Sequence, residues 1–200
     1  MQMIHFDNEN IEPASDCVVI RIQDNDTLST KSSGFVIGDD ALRNLRVGFA
    51  QILKLGSEAR VNTNLKEGDW VFYDTLSTFY HTYPIAVLRY QGLIMESNQE
   101  KTKYRAMGGR CIVQEVASTD ESNGGFVIPT SDEMKIGVIK SITPPYTATS
   151  DSIPFKVGDK VLLTKDERDT LHGFRGDADL DPTKPIHIYK TEHIICKIND

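Results

Sequence analysis

The 200-residue sequence has no apolar run long enough to cross a bilayer and no cluster of basic residues. Its first residues, Met1 to Asp7, lack the basic flank and the apolar stretch of a secretory signal peptide. The formal net charge is −7, whereas a protein that tracks phosphates needs clustered Lys and Arg. These absences predict a cytoplasmic protein that binds neither a membrane nor a nucleic acid.

Cysteine is also scarce, with Cys17, Cys111 and Cys196 forming an odd set that lacks the spacing of a disulfide framework. We interpret them as reduced thiols in a cytosolic compartment. His187, His193 and Cys196 together suggest a metal site. On one strand, however, positions 193 and 196 would face opposite sides, so we expect no metal site.

Signatures of catalysis are missing as well. The sequence has no nucleophile elbow, no phosphate-binding loop and no dinucleotide-binding fingerprint. We therefore predict that the protein is not an enzyme and needs no cofactor. Its hydrophobic content of 39% and charged content of 26% nevertheless describe a globular protein.

The two halves of the sequence repeat the same short motifs in the same order. Five matched pairs are separated by 89 to 101 residues, and the separation changes only where loops would take insertions. The pairs are Cys17–Ile20 with Cys111–Gln114, Gly34–Ile37 with Gly125–Ile128, Val47–Ile52 with Ile136–Ser141, Lys66–Val71 with Lys156–Val161, and Leu93–Ile94 with Ile194–Ile195. The shared order predicts a tandem duplication.

Each half consists of short apolar runs rich in Val and Ile, separated by clusters of Gly, Pro, Asn, Asp and Ser. This pattern is typical of an all-β domain, and many short strands in a small domain close most easily as a barrel. We predict two tandem small β-barrels with long loops, over residues 1–97 and 104–200, joined by a polar linker over 98–103. Trp70–Tyr73 and Lys160–Leu163 are predicted strands, and no segment shows helical periodicity over three turns.

Each half also contains one long polar stretch, over residues 23–46 and 115–135, with a single apolar triplet inside it. Loops of this length in a compact domain are usually functional or disordered. The triplets are Phe35-Val36-Ile37 and Phe126-Val127-Ile128. Each is either a core strand or an apolar peptide on a flexible tether that docks into the groove of a partner. The residues alone leave both interpretations open.

Two motifs of the second half resemble the GroES-type co-chaperonins. The segment Gly124–Pro129 is similar to the family's mobile-loop motif, in which two glycines precede apolar residues and a proline, and Lys156–Leu162 is similar to the barrel strand that follows. The first half repeats both motifs more loosely, over Thr30–Ile37 and Leu65–Val71, and Tyr90–Glu96 resembles the closing strand. The resemblance covers nearly the whole chain twice and identifies a tandem form of this family.

The resemblance implies a ring-forming, ATP-independent lid that docks on a GroEL-type chaperonin and assists protein folding. The barrels would form the dome of a homo-oligomeric ring, and the loop triplets would contact the chaperonin. The chaperonin-binding residues are then Phe35, Val36, Ile37, Phe126, Val127 and Ile128, and the loop hinges are Gly34, Gly124 and Gly125.

Two features depart from the family pattern. Phe35 and Phe126 replace the usual aliphatic residue at the start of each triplet, which predicts a different groove in the partner. Gly56–Lys66 leaves little room for the family's roof hairpin, so we expect an open or differently shaped dome.

A structural role is the alternative to the lid. Tyr104–Arg110 and Ile194–Ile198 look like the phage-encoded form of the family, which implies a phage or bacterial source. A phage co-chaperonin would act in the host cytoplasm. A phage could also reuse the barrel pair as a virion component such as a capsid decoration, with virion proteins as partners. The sequence leaves this choice open.

Overall fold

The computed structural model describes residues 11–23, 47–82, 84–116, 134–146, 153–164, 169–170, 180 and 186–198. The chain divides into two compact units, Met1–Gln99 and Glu100–Asp200. The described part of each unit consists mainly of antiparallel strands, and the described residues contain a single α-helix, which lies in the first unit. The predicted all-β class is therefore confirmed.

The first unit has six strands in the order β4-β5-β1-β2-β3-β6, and every neighbouring pair is antiparallel. Buried residues run consecutively over Cys17–Ile20, Val71–Tyr73 and Leu93–Met95, so both faces of the sheet are covered there. The strands are β1 (Cys17–Ile22), β2 (Val47–Leu55), β3 (Trp70–Asp74), β4 (Thr78–Thr82), β5 (Ile85–Arg89) and β6 (Leu93–Ser97).

The second unit has the same strand order, β11-β12-β8-β9-β10-β13. Its strands are β8 (Arg110–Glu115), β9 (Met134–Ile142), β10 (Lys160–Thr164), β11 (Asp169–Thr170), β12 (Ile186–Lys190) and β13 (Ile194–Ile198). A further short strand, β7 (Tyr104–Ala106), precedes them. The Ala106 N–H donates to Ser141 Oγ at 2.9 Å, and Ala106 O accepts from Thr143 Oγ1 at 2.5 Å, which fixes β7 at the end of β9.

The predicted barrel closure is not confirmed. In the described residues the pairing order of each sheet is linear, so no ladder of hydrogen bonds joins β4 to β6 or β11 to β13. The six strands named for each unit thus share one topology, and each arrangement is open along the strands described.

The two sheets also share the positions of their register irregularities. A strand with one extra residue forms a β-bulge, which bends the strand and increases its twist. The irregularities lie between Val19 and Ile20 in β1, Ile112 and Val113 in β8, Phe72 and Tyr73 in β3, and Leu162 and Leu163 in β10. They align the two units residue by residue.

This alignment corrects the sequence pairing of the first strands. The irregularity follows Val19 in β1 and Ile112 in β8, so Val18 takes the position of Cys111. Cys17, which the sequence motif paired with Cys111, lies one residue earlier. A shared residue type had therefore placed the motifs one residue out of register.

The pairing of β2 with β9 is corrected in the same way. Ala50 opposes Val71, and Gly137 opposes the equivalent Val161, so Ala50 takes the position of Gly137. Gly48, which the sequence motif paired with Gly137, lies two residues earlier on the same face. A shift of two residues preserves the alternation of faces, which is why the hydrophobic pattern alone did not detect it.

The turns that lead into β3 and β10 have matching hydrogen bonds. In each, an Asp carboxylate accepts from the N–H three residues earlier, and a Gly N–H donates to an Ile carbonyl of the preceding strand. The bonds are Lys66 N–Asp69 Oδ2 at 2.7 Å, Gly68 N–Ile52 O at 2.8 Å, Lys156 N–Asp159 Oδ2 at 3.0 Å and Gly158 N–Ile139 O at 2.8 Å. The glycines have φ values of 97° and 91°, which disfavour any side chain.

One short helix, α1 (Ser57–Thr63), was not predicted from the sequence. It follows Gly56, whose N–H donates to Cys17 O at 2.9 Å, and the Ala59 N–H donates to Ser15 O at 3.0 Å. A Cβ atom at Gly56 would overlap Ala14 O, so only glycine allows this close approach. The helix occupies the segment where little room was expected for a hairpin.

Candidate functional site at the roots of the two long segments

The strand ends that bound residues 24–46 and 117–133 have the same backbone geometry. We call Ile22, Gln23, Val47 and Gly48 the first root, and Glu115, Val116, Met134 and Lys135 the second root. The Gln23 N–H donates to Phe49 O at 3.1 Å, and the Val116 N–H donates to Ile136 O at 2.9 Å. These bonds make Ile22 equivalent to Glu115 and Gly48 equivalent to Lys135.

The second root carries a partly buried polar cluster of Glu115, Lys135 and His187. Lys135 Nζ lies 2.6 Å from Glu115 Oε1, and His187 Nε2 lies 3.3 Å from Glu115 Oε2. The side chains of Glu115 and His187 are only 17% and 7% exposed, whereas that of Lys135 is 35% exposed. Each of the three residues comes from a different strand, so the cluster ties together β8, β9 and β12.

The carboxylate at the centre of this cluster is held in its charged form. Burial by itself raises the pKa of Glu115, but hydrogen bonds from Lys135 and His187 outweigh burial and lower it below the ordinary value of 4.5. Both oxygens of Glu115 therefore accept hydrogen bonds, as a partly buried carboxylate requires.

The polar cluster extends the core-facing side of the second sheet. His187 pairs with Val113 across β12 and β8, and Val113 pairs with Ile139 in β9. Val113 and Ile139 belong to the buried hydrophobic cluster of this unit, together with Tyr189. The polar cluster thus lies at the end of the core from which residues 117–133 depart.

The first root fills the same place with an aromatic ring. Gly48 pairs with Tyr73, just as Lys135 pairs with Leu163. A Cβ atom at Gly48 would overlap the Tyr73 ring, so the ring lies directly over the glycine backbone. Tyr73 is 3% exposed, and burial raises the pKa of its hydroxyl to about 12. Apolar Ile22 and Ala86 occupy the positions of Glu115 and His187.

The residues predicted to bind a partner lie outside the described part of the chain. They are Phe35, Val36, Ile37, Phe126, Val127 and Ile128, with the predicted hinges Gly34, Gly124 and Gly125. The structure does describe the strand ends that flank them. Sequence reasoning missed the polar cluster, although opposite charges at the two ends of the stretch 115–135 were a visible signal.

The other candidate residues, His193, Cys111 and Cys17, lie in regular elements of the fold. His193 lies in a 3-10 turn over Thr191–His193 and not on a strand as assumed from the sequence. In the described residues, no three His, Cys, Asp or Glu side chains are grouped as metal ligands would be. Burial raises the pKa of the Cys111 thiol to about 12, and burial also raises the pKa of the Cys17 thiol, which disfavours the reactive thiolate form of both.

Comparison with known protein families gives a match that lies in the second unit. Residues 103–200 match the Cpn10 family model, which describes the chaperonin 10 Kd subunit. The match runs from the start of β7 through all the strands of the second unit. No curated protein matches the chain. In the described residues, no helix is long and apolar enough to cross a membrane.

The second unit is therefore similar to the Cpn10 family, and this supports the resemblance to the GroES-type family for residues 103–200. At the level of the family, this supports a GroES-like co-chaperonin.

Proposed function

We propose that the protein is a non-enzymatic co-chaperonin that docks as a lid on a GroEL-type chaperonin ring. The observation that carries this proposal is the Cpn10 match over residues 103–200, which covers all but the first three residues of the second unit. The second root belongs to this matched unit and bounds the segment that contains Phe126, Val127 and Ile128. The protein would act in the cytoplasm, without a cofactor.

The first unit is proposed to be a second copy of the same domain. Its strand order, its register irregularities and the Gly-Asp turn before β3 all match those of the second unit. In the proposal each copy closes as a small barrel, and the paired barrels of several chains form a homo-oligomeric ring. Closed point-group symmetry is the usual arrangement of such oligomers.

Docking is proposed to occur through the two apolar triplets. Burial of one large apolar side chain gains roughly 1.5–3 kcal/mol. Ordering a segment costs roughly 1–2 kcal/mol for each residue that is fixed. A single segment would therefore bind weakly, whereas several segments on one ring bind together through their effective concentration. Such contacts are easily released, as the cycle of a lid requires.

The test is co-sedimentation of the purified protein with chaperonin rings from its own source, with and without ATP or ADP. We expect nucleotide-dependent binding that is lost in the variant Val36→Asp plus Val127→Asp, because a charge in an apolar groove is costly. Val61→Asp is the matched control, since Val61 in α1 is 75% exposed and belongs to neither triplet. This control variant should bind like the wild type.

Failure of the folded wild-type protein to bind at high concentration would contradict the proposal. A structural role in the virion would then be the better explanation, and sedimentation of the protein with purified phage particles would test it.

A further inference from the structure

Within the described residues, the polar cluster at the second root has no counterpart at the first root. Both units nevertheless have the same strand order, and each has the same backbone hydrogen bond at its root. Partly buried charges are costly to desolvate, and apolar residues of similar size often serve the fold equally well. The first unit shows that this fold forms with Ile22, Gly48 and Ala86 in these positions. The polar cluster is therefore not needed to specify the fold.

The placement of the polar cluster indicates what it does instead. Glu115 ends β8 and Lys135 lies at the start of β9, so their 2.6 Å contact joins the two ends of the segment 117–133. The Val116 N–H bond to Ile136 O lies next to this contact. His187 supports the same carboxylate from β12, which anchors the second root to a third strand.

We propose that Glu115, Lys135 and His187 are positioning residues that hold the second root in place, and that this makes the segment 117–133 the stronger of the two docking segments. The docking part rests on the proposed function. A root that is already ordered loses less conformational freedom when the segment binds, and lower ordering cost means higher affinity. The first root has the equivalent backbone bond, but its residues Ile22 and Gly48 cannot form the ion pair that joins β8 to β9 in the second unit.

Three variants of the full-length protein separate positioning from simple stability. Lys135→Met removes the charge and keeps most of the aliphatic stem. Lys135→Arg restores a cation that can still reach the carboxylate. Glu67→Gln is the matched control, because Glu67 also lies between two cations, Lys54 at 3.9 Å and Arg60 at 3.4 Å, but in the first unit.

The first readout is hydrogen exchange of the Val116 amide in the isolated protein, followed by NMR. We expect exchange to be about tenfold faster in Lys135→Met, which corresponds to about 1.4 kcal/mol. Exchange should return towards the wild-type rate in Lys135→Arg and stay unchanged in Glu67→Gln. The Ile139 amide, bonded to Asp159 O at 3.0 Å in the core of the same unit, should not change in any variant.

The second readout is the affinity of each variant for chaperonin rings with nucleotide. We expect Lys135→Met to bind about tenfold more weakly, and the other two variants to bind like the wild type. Unchanged Val116 exchange in Lys135→Met overturns the positioning role, as does an equal acceleration at Ile139. Faster Val116 exchange with unchanged affinity overturns the docking part. If the wild-type protein does not bind at all, the proposed function fails, whereas Val116 exchange still decides the positioning role.

Discussion

The two units use different side chains to fill the same end of the core. In the first unit, the ring of Tyr73 lies over Gly48, and apolar Ile22 and Ala86 take the positions of Glu115 and His187. In the second unit, Lys135 replaces the glycine, Leu163 replaces the tyrosine, and an ion pair with Glu115 fills the space. The same strand order thus accommodates either an aromatic ring or an ion pair at this end of the core.

This difference indicates that the residue at each of these positions depends on the residue it contacts. A side chain at position 48 is incompatible with the Tyr73 ring, and a glycine at position 135 would leave Glu115 without its lysine partner. We call the residues that fill this end of the core in one unit a matched set. Exchanging one residue of a set for its counterpart in the other unit should lower stability, and exchanging both residues of a contact should lower it less. Four predictions test this comparison.

The largest effect is expected for Gly48→Ala in the first unit. The new Cβ atom overlaps the Tyr73 ring, and overpacking of this kind costs about 1–3 kcal/mol. Urea unfolding followed by fluorescence of Trp70 measures the loss, because Trp70 is the only tryptophan and stacks on Phe49 at 5.2 Å. In the double variant with Tyr73→Leu, the loss should be about 1 kcal/mol smaller than the sum of the single losses. Additive losses would show that the contact is not the cause.

The reciprocal exchange, Leu163→Tyr in the second unit, should cost about 1–2 kcal/mol. The larger ring meets Lys135, which stands where the first unit has glycine. Adding Lys135→Gly should recover part of the loss, although it also removes the ion pair. Exchange of the Ile139 amide at increasing denaturant concentration reports the stability of this unit. No recovery in the double variant would contradict the matched-set interpretation.

A smaller and equal effect is expected at the two turn glycines. Gly68→Ala and Gly158→Ala each force a side chain into a positive φ, at 97° and 91°, with no steric contact within 4 Å. The cost should be about 1 kcal/mol in each unit. Trp70 fluorescence measures the first loss and Ile139 exchange the second. A clear inequality would show that the turns differ despite their matching hydrogen bonds.

The smallest effect concerns pH. The folded-state pKa of Glu115 is lower than its unfolded value, so its contribution to stability is complete above the unfolded pKa and is lost as pH falls through the folded pKa. The difference in Val116 exchange between wild type and Glu115→Gln should therefore shrink from about pH 6 to about pH 3. The first unit has Ile22 at this position, and it should show no such difference. A gap that persists in acid would contradict the role of the charge.

Much of the fold could be predicted from the sequence, because strand residues and turn residues carry local signals. Trp70–Tyr73 and Lys160–Leu163 were predicted as strands and are confirmed as parts of β3 and β10. The helix α1 was missed because its seven residues are too few to show a helical period. The clearest local sequence signal for this helix was Asn64, because asparagine often ends a helix in the left-handed conformation. In the structure Asn64 ends α1 with a φ of 57°.

Register and the site were harder to predict, because both depend on contacts between distant residues. The motif matches aligned Cys17 with Cys111 and Gly48 with Gly137, since identical residue types attract an alignment even when the strand positions differ. Bulges in β1 and β8 set the register of these strands, and no local sequence pattern predicts such bulges. The polar cluster joins Glu115, Lys135 and His187 from three strands, so that pairing of the strands had to be known first.

The contact between Gly48 and Tyr73 also constrains how such a pair of units can diverge over generations. A mutation that adds a side chain at position 48 is harmful while the ring is present. Replacing the ring first leaves an underfilled core that a later substitution at position 48 can fill. The reverse order passes through an overpacked core, so the stability of the intermediate depends on which residue changes first.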